Sequence, residues 1–228
     1  MRTVVISCDK NPDYVFYVPI VCWAWNKLGW KTHTITSIGS SYPNKVTVMQ
    51  CARLYQCTSD DLKDDDMLMT SDADMIPLSD YWNPDPNIIT TYGHDLTDFK
   101  HVPICYIAMA KSNWKKVMEI KELPMNNYLD RDLFLYNTDE WTKDQEIITD
   151  KLSKHEFKNI ERGVDKSTGY PIGRVDRSTG CKIVNPLIDF HAPRQGWKHL
   201  DKIKEILTLA FGEFPEWLDK RAKGYEWI

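Results

Sequence analysis

The sequence predicts an α/β protein whose mixed, mainly parallel sheet is flanked by helices, with a small hairpin or lid in addition. Between residues 2 and 72, β-rich runs alternate with helical runs, an order typical of parallel strands joined by helices. The chain has 228 residues, which is short for two full domains, and 42% of them are hydrophobic. That composition can form a sizeable core, so we expect a single domain over residues 1–228.

Three strands and two helices are predicted in the first third of the chain. The β-branched run "RTVVISCD" (2–9) and the alternating run "WKTHTITSIG" (30–39) precede a third apolar run, "DDMLMTSD" (65–72). A helix is expected from Pro19 to Gly29, because proline suits a first helical turn and glycine follows a last one. Apolar residues at helical spacing predict a second helix over 46–59.

The rest of the chain adds further elements and a near repeat. Strands are predicted over 87–93 and 102–110, helices over 111–123 and 142–155, and two helical pieces with a break at Pro215 over 199–224. The sequences VDKSTG and VDRSTG lie eleven residues apart inside 163–181. This unit is too short for a solenoid, so we interpret 163–181 as a hairpin whose two arms share turn chemistry.

Composition and absent motifs exclude several classes of function. A net charge of −4 provides no basic field for nucleic acid, and no apolar stretch is long enough to span a membrane. The six cysteines are scattered without a CxxC pair, and the first apolar run is too short for a signal peptide, which favours reduced thiols and a cytoplasmic location. The sequence lacks dinucleotide-binding, P-loop, GxSxG and HExxH motifs.

Asp72 and Asp74, in "DMLMTSDADMIPLSD" (66–80), are the first candidates for chemistry. Extended chain places residues i and i+2 on the same side, so the two carboxylates point to one place and repel each other. A hard divalent cation removes this repulsion, and ligands of open α/β sheets bind beyond the carboxyl ends of strands. The alternative is a solvated acidic turn, but the core strand before the pair favours a metal site.

The segment "DFHAPRQGWKH" (189–199) is the second candidate. His191 offers an imidazole that suits Mn²⁺ together with carboxylates, although a lone loop histidine is more often structural. Arg194 and Lys198 could neutralise a diphosphate, and Gly196 would let the backbone approach it closely. Considered together with the acidic pair, the segment favours ligand binding.

Two further positions keep alternatives open. Asp144 and Gln145 open a predicted helix, where an aspartate is favoured for its position alone. They could also contact sugar hydroxyls or place a carboxylate near a reacting carbon. Arg53 lies on an otherwise apolar helix face and could pair with the acidic run 60–66 or reach a phosphate or nucleotide.

Several segments together resemble nucleotide-sugar-dependent glycosyltransferases of the GT-A fold, in particular glycosyltransferase family 8. "LMTSDADMIPL" is similar to the strand with its DxD motif, "ARLYQC" to the helix whose arginine faces the donor, and "DFHAPRQGWKH" to the late His-x-Gly-x-x-Lys-Pro-Trp type segment. "WTKDQ" resembles the Asp-Gln segment of many such enzymes. The sequence departs from the family at Ala192 and Pro193, where glycine is preferred, and in the order of Trp197 and Lys198.

The resemblance implies a Rossmann-like GT-A domain that binds a UDP-sugar together with Mn²⁺ or Mg²⁺. The donor-binding half would span about residues 1–100, the acceptor half about 101–200, and C-terminal helices 199–228. The implied metal ligands are Asp72, Asp74 and His191, and the implied catalytic residues are Asp144 and Asp74. The implied donor contacts are Ser7, Cys8, Asp9, Tyr14, Arg53, Asp72, Ala73, Arg194, Gly196 and Lys198, and the implied acceptor contacts are Asp95 and Gln145.

The resemblance also implies a reaction. A hexose or deoxyhexose would pass from a donor of the UDP-glucose or UDP-rhamnose type to a glycan on a glycoprotein, and the chain looks most like viral transferases that glycosylate a capsid protein. The histidine segment favours retention of configuration, whereas an inverting enzyme would need a carboxylate base, Asp144 first and Asp95 second. The same Asp/Asp/His set could serve a metal-dependent nucleotide-sugar hydrolase, and nine Trp and eleven Tyr could serve a carbohydrate-binding module.

Overall fold

The computed structural model describes residues 1–36, 45–59, 61–93, 101–121, 125–135 and 142–225. Over these residues the strands are β1 (Arg2–Ser7), β2 (Lys31–Ile35), β3 (Met67–Ser71), β4 (Met75–Pro77), β5 (Thr90–Thr91), β6 (Ile107–Ala110), β7 (Lys158–Asn159), β8 (Arg174–Asp176) and β9 (Asp189–His191). The helices are α1 (Pro12–Val15), α2 (Val18–Lys27), α3 (Lys45–Gln56), α4 (Lys111–Val117), α5 (Met125–Leu135), α6 (Lys143–Leu152), α7 (Leu200–Phe211) and α8 (Leu218–Lys223).

Two compact units divide the chain between them. The first contains Met1–Asp9, Lys31–Asp72 and Pro84–Glu161, and the second contains Lys10–Trp30, Ala73–Asn83 and Arg162–Ile228. Each unit has its own sheet. The expected division into donor-binding and acceptor-binding halves concerns ligands and stays a prediction.

The first unit is built on a six-stranded sheet in the order β2-β1-β3-β6-β5-β7. β1 pairs in parallel with β2 and β3, and β5 with β7, whereas β6 is antiparallel to β3 and β5. The mixed, mainly parallel sheet predicted from the sequence is thus confirmed. β1 and β3 are buried almost throughout, which explains why both appear in the sequence as continuous apolar runs.

Helices flank this sheet because their apolar residues recur at helical spacing. In α3, Val48, Cys51 and Leu54 are buried in the core of the first unit, and α5 and α6 pack against α3. α4 follows β6 directly and packs on it. Its fully buried Trp114 donates from the indole nitrogen to the carbonyl oxygen of Leu68 at 3.2 Å.

The second unit contains a three-stranded sheet in the order β4-β9-β8. β9 is antiparallel to β4, with Met75 opposite His191, and parallel to β8, with Asp176 opposite His191. Strands of three residues are too short to show an alternating pattern, so the sequence does not predict β8 or β9. The predicted helix from Pro19 to Gly29 is confirmed as α2, which packs on β4 and ends before Gly29 at a φ of +79°.

Several elements differ from the sequence prediction in extent. The strand expected over 87–93 is reduced to β5, and the helix expected over 111–123 ends at Val117, because Glu119 adopts a left-handed φ of +56° that stops a helix. Helix α5 is unpredicted because its polar residues interrupt the apolar periodicity. Within the described residues, no helix has both the length and the apolar character needed to cross a bilayer.

Both copies of the near repeat contain the same aspartate turn motif. Asp165 in the first copy and Asp176 in the second each accept, at 2.8 Å, a hydrogen bond from the backbone N–H two residues further on. Each copy closes with a glycine at positive φ, +73° and +66°. The shared turn chemistry is confirmed, but the single hairpin with two matching arms is wrong. The first copy lies in its own short hairpin, with Val164 opposite Pro171. The second copy instead begins within β8 and continues into the turn after it.

A buried carboxylate anchors the sheet of the second unit. Asp189, at the start of β9, is fully buried and accepts hydrogen bonds of 2.9–3.2 Å from the guanidinium groups of Arg162 and Arg174. The Arg162 guanidinium also lies over the rings of Tyr81 and Trp82, at 5.8 and 5.6 Å from their centroids. Burial raises the pKa of Asp189, but the two arginines lower it by more and hold it well below its usual range.

Replacement of Asp189 by asparagine should destabilise the protein, because two buried arginines would lose their counter-charge. Breaking a buried ion pair from one side costs about 3–5 kcal/mol, which urea unfolding followed by circular dichroism measures. Asp165→Asn, in the turn of the first repeat copy, is the control and should change the free energy of unfolding far less. A loss of under about 1 kcal/mol for Asp189→Asn would contradict the anchoring role.

The same ion pair predicts how stability depends on pH. Because the pKa of Asp189 is lowered in the folded state, its stabilising contribution is complete above the ordinary carboxyl value of 3.8 and is lost as the pH falls below that value. The wild-type protein should therefore lose stability on acidification more steeply than Asp189→Asn. Urea midpoints measured at several acidic pH values test this, and equal slopes would show that Asp189 titrates normally.

Candidate functional site

Asp74 and His191 meet in the second unit. Asp74 immediately precedes β4 and His191 ends β9, and the strand register that sets Met75 opposite His191 brings the two side chains together. His191 Nε2 lies 3.6 Å from Asp74 Oδ2, and the backbone N–H of Ala192 donates to the carbonyl oxygen of Asp74 at 2.9 Å. Strand pairing therefore joins two residues that are far apart in the sequence.

Asp176, the last residue of β8, orients the His191 ring. Its Oδ2 lies 2.9 Å from His191 Nδ1, while its Oδ1 accepts from the backbone N–H of Ser178. With Nδ1 held by a carboxylate, Nε2 is the nitrogen that faces Asp74, an arrangement common among metal-ligating histidines. Burial favours the neutral ring, but the hydrogen bond to Asp176 and the nearby Asp74 carboxylate outweigh it and raise the pKa of His191 to about 9.

Arg177, the next residue in the chain, brings a second positive group to Asp74. Its Nη1 donates to Asp74 Oδ2 at 2.8 Å and to the carbonyl oxygen of Ala192 at 3.3 Å. Burial raises the pKa of Asp74, but His191 and Arg177 lower it by more, so the pKa lies below its ordinary value. Asp74 is consequently a carboxylate at neutral pH.

Asp74 and His191 present donor atoms that fit Mn²⁺ or Mg²⁺ in part. A carboxylate oxygen and an imidazole nitrogen 3.6 Å apart can contact the same ion once the ring has lost its Nε2 proton, and mixed oxygen and nitrogen ligands suit Mn²⁺. Across the described residues, no group of three or more His, Cys, Asp or Glu side chains is arranged to hold a metal ion. The pair is therefore a partial ligand set, which oxygen atoms of a bound molecule would have to complete.

Arg53 joins two acidic residues in the first unit. It forms a short hydrogen bond from Nη1 to Asp72, donates from Nη1 to the carbonyl oxygen of Ser71 at 3.2 Å, and donates from Nη2 to Asp144 Oδ2 at 2.8 Å. Burial lowers the pKa of Arg53, but the two carboxylates raise it by more, so the guanidinium stays charged. Of the two alternatives for Arg53, the ion pair with the acidic run 60–66 is wrong for its described residues, since Arg53 pairs with Asp72 and Asp144, and the contact with a phosphate or nucleotide stays a prediction.

Asp144 lies in the first turn of α6, and both of its carboxylate oxygens are engaged. Its side chain is only 2% exposed, Oδ2 accepts from Arg53, and Oδ1 accepts from the backbone N–H of Gln145 at 2.8 Å. Burial raises the pKa of Asp144 despite the opposing charge of Arg53. A catalytic role would require Asp144 to exchange one of these bonds for a substrate proton, and that role stays a prediction.

Two predicted donor contacts of the second unit, Tyr14 and Arg194, lie together. The Arg194 guanidinium lies over the Tyr14 ring, 5.3 Å from its centroid, and 3.8 Å from a carboxylate oxygen of Asp13. Burial raises the pKa of Tyr14. The Arg194 side chain is 52% exposed and Lys198 is also exposed, so both cations face solvent.

Gly196 has a packing role that the sequence does not reveal. A Cβ atom at this position would lie 2.2 Å from Tyr17 Oη and 2.7 Å from Phe16 Cδ1, which is impossible without movement. Tyr17 Oη donates to the carbonyl oxygen of Pro193 at 2.5 Å, so the segment is fixed on this tyrosine. The packing accounts for the glycine by itself, and its contact with a diphosphate stays a prediction.

The other predicted contacts also stay predictions. Ser7 and Cys8 are buried at the carboxyl end of β1, and Asp9 follows them in a partly exposed position. Ala73 is buried, and Gln145 is partly exposed in α6. Asp95 lies outside the described residues.

Sequence reasoning missed Asp176 and Arg177. Both belong to the second repeat copy, for which the sequence predicts shared turn chemistry in a hairpin or lid but no role for either side chain. Only the pairing of β8 with β9 shows that this copy adjoins His191, and strands of three residues leave no pattern from which that pairing could be inferred.

Comparison with solved structures shows that this is the fold of glycosyltransferases. A glycosyltransferase involved in the glycosylation of the major capsid of PBCV-1 is similar over 84% of this chain and 94% of that chain, with a TM-score of 0.53 and 12% identity. The galactosyltransferase LgtC, solved with donor and acceptor sugar analogues, is similar over 96% of this chain and 99% of that chain, with a TM-score of 0.52 and 12% identity. The predicted GT-A fold is therefore confirmed.

A third similar structure is the glycosyltransferase GlyE of Streptococcus pneumoniae TIGR4, with a TM-score of 0.42 and 13% identity over 70% of this chain. This chain spans 45% of the length of GlyE. No protein-family model and no curated protein matches the sequence. Likeness at these identities concerns the fold and not the activity.

Replacement of Asp176 by asparagine should lower the pKa of His191, because the carboxylate that stabilises the protonated ring would be lost. An NMR titration of the histidine ring protons, without added metal, should show the pKa falling from about 9 toward the ordinary value of 6.5. Asp165→Asn removes the same turn-forming carboxylate from the first repeat copy and should leave the His191 titration unchanged. An ordinary His191 pKa in the wild-type protein would refute this account of the ring's environment.

Proposed function

We propose that the chain is a glycosyltransferase that transfers a hexose or deoxyhexose from a UDP-sugar to a glycan on a glycoprotein. The observation that carries the proposal is the pairing of β4 with β9, which places Asp74 beside His191 in a chain with a glycosyltransferase fold. An acidic residue at a strand end and a distant histidine form the combination expected where a metal holds a diphosphate.

Asp74 and His191 are the proposed metal ligands, with Asp176 as the residue that orients the histidine. Mn²⁺ or Mg²⁺ bound there would supply positive charge against the negative charge that develops on the departing UDP. The chain contributes further positive charge through Arg194 and Lys198, whose exposed side chains suit phosphate oxygens. Asp72 is proposed as an additional ligand or ribose contact, a role that competes with its ion pair to Arg53.

The acceptor, the donor and the location are each proposed on a separate ground. A similar structure is a glycosyltransferase involved in the glycosylation of a viral capsid protein, which supports a glycoprotein acceptor of that kind. We propose a donor of the UDP-glucose or UDP-rhamnose type, on the sequence resemblance alone. The proposed cytoplasmic location rests on the scattered cysteines, none of which forms a CxxC pair.

Retention of configuration is the proposed stereochemical course. An inverting transferase needs a carboxylate that can take the acceptor proton, and the first candidate, Asp144, is buried with both oxygens engaged. A retaining transferase has no such requirement, so the commitment of Asp144 to Arg53 favours retention.

A screen of UDP-sugars by thermal shift with Mn²⁺ tests the donor class. The preferred donor should raise the melting temperature in proportion to its occupancy, and EDTA should abolish most of that shift. Asp74→Ala should lose the Mn²⁺-dependent shift and at least about 100-fold in transfer rate, since it removes a group that acts on developing charge. Lys166→Ala, at an exposed position of the first repeat copy, is the control and should behave as wild type.

Two outcomes of that screen would reject the proposal. If no UDP-sugar shifted the melting temperature with or without metal, the chain would not be a UDP-sugar transferase. If the bound donor were hydrolysed rapidly and an added glycan acceptor gained no sugar, the chain would be a nucleotide-sugar hydrolase instead.

The stereochemical course can be read directly from the product. With a UDP-α-sugar donor, proton NMR of the first product formed should show an α linkage. A β linkage would mean inversion and would return Asp144 to the role of base. In that case Asp144→Asn should reduce transfer by at least about 100-fold while leaving UDP binding intact.

A further inference from the structure

We propose that Arg177 competes with the divalent cation for Asp74, and that displacement of this arginine couples metal binding to donor binding. The inference rests on the proposed function in one respect, because it takes Asp74 and His191 as the ligands of the cation. It assigns a role to Arg177, a residue that no sequence motif marks as functional.

The competition follows from one shared atom. Arg177 Nη1 donates to Asp74 Oδ2 at 2.8 Å, and the same oxygen is the one that lies 3.6 Å from His191 Nε2. A cation held by Asp74 Oδ2 and His191 Nε2 would therefore share its carboxylate oxygen with the guanidinium. Two positive groups at this distance from one oxygen repel each other strongly in a mostly buried setting, so cation binding requires Arg177 to leave Oδ2.

Arg177 is able to leave. Its side chain is 27% exposed, whereas the Asp74 side chain is 10% exposed, so the guanidinium can turn toward solvent without crossing the core. The backbone at Arg177 need not follow, because the turn is fixed by the hydrogen bond from the Ser178 N–H to Asp176. The arginine can thus move while Asp176 continues to orient His191.

The displaced guanidinium would then be available to an anion. Its planar donors match phosphate oxygens better than a lysine ammonium does, and the proposed donor carries a diphosphate. Metal binding would therefore improve donor binding in two ways, through the charge of the ion and through the release of Arg177 from Asp74. By linkage, bound UDP must raise the affinity for the metal by the same factor.

The first repeat copy offers a matched comparison. Lys166 occupies the same place in VDKSTG that Arg177 occupies in VDRSTG, and it is exposed. In both copies the aspartate side chain accepts a hydrogen bond from the backbone N–H two residues further on. Lys166→Gln therefore removes one positive charge from an aspartate turn, as Arg177→Gln does, but it leaves the contacts of Asp74 unchanged.

Mn²⁺ binding without nucleotide, measured by the EPR signal of free Mn²⁺, tests the competition. Arg177→Gln should bind Mn²⁺ about tenfold more tightly than wild type, within the usual range of coupling between sites. Arg177→Lys, which keeps the charge but has a single donor group, should fall between the two. Lys166→Gln should match wild type. Addition of UDP should raise the Mn²⁺ affinity of wild type by a larger factor than that of Arg177→Gln.

The outcomes separate this inference from the proposed function. If wild type binds Mn²⁺ and Arg177→Gln binds it equally or more weakly, Arg177 is not a competitor and the inference fails, while the glycosyltransferase proposal stands. If no variant binds Mn²⁺, the inference fails with the metal site. If wild type binds Mn²⁺ but no UDP-sugar, the proposed function fails and the competition is judged on Mn²⁺ affinity alone. Should Arg177→Gln not fold, the ratio of Arg177→Lys to wild type decides.

Discussion

The ion pair of Asp189 with Arg162 and Arg174 is the interaction on which the candidate site depends. Asp189 lies in β9, two residues before His191, and its register partner is Arg174 of the neighbouring strand β8. Replacing a whole buried ion pair with apolar residues often leaves the stability of a protein unchanged. The contribution that matters here is therefore to the register between β8 and β9. A slip of one residue would point every side chain of β9 to the opposite face. His191 would then lose both Asp74 and Asp176.

Charge balance is the second constraint on the site. Asp74 and Asp176 are two carboxylates, and His191 and Arg177 supply two positive groups, all within one small sheet and its adjoining turn. Asp74, Asp176 and His191 keep their charges because their neighbours oppose the effect of burial. In the first unit a single guanidinium, that of Arg53, likewise pairs with two carboxylates, Asp72 and Asp144. In each unit an arginine therefore pairs with carboxylates that are functional candidates from the sequence, Arg177 with Asp74 and Arg53 with Asp72 and Asp144.

The sequence predicts the large elements well because they bury long apolar faces. β1, β3, α2 and α3 all carry such faces, and the structure contains each of them close to the expected place. The short strands of the second unit bury three residues each and leave no period to detect. Asp74 and His191 were identifiable because their residue types suggest a metal, whereas Arg177 and Asp176 looked like turn residues. The packing of Gly196 against Tyr17 was equally invisible, since it depends on a tyrosine far away in the sequence.

The turn that occurs in both repeat copies is defined by local contacts. An aspartate that accepts from the chain two residues later, and a closing glycine at positive φ, are sufficient in both copies. The side chain that follows the aspartate accepts and donates no bond in that turn, and at position 177 it contacts Asp74 and the carbonyl oxygen of Ala192 instead. An exchange at position 177 therefore changes the charge beside Asp74, while Ser178 still donates to the carboxylate that orients His191.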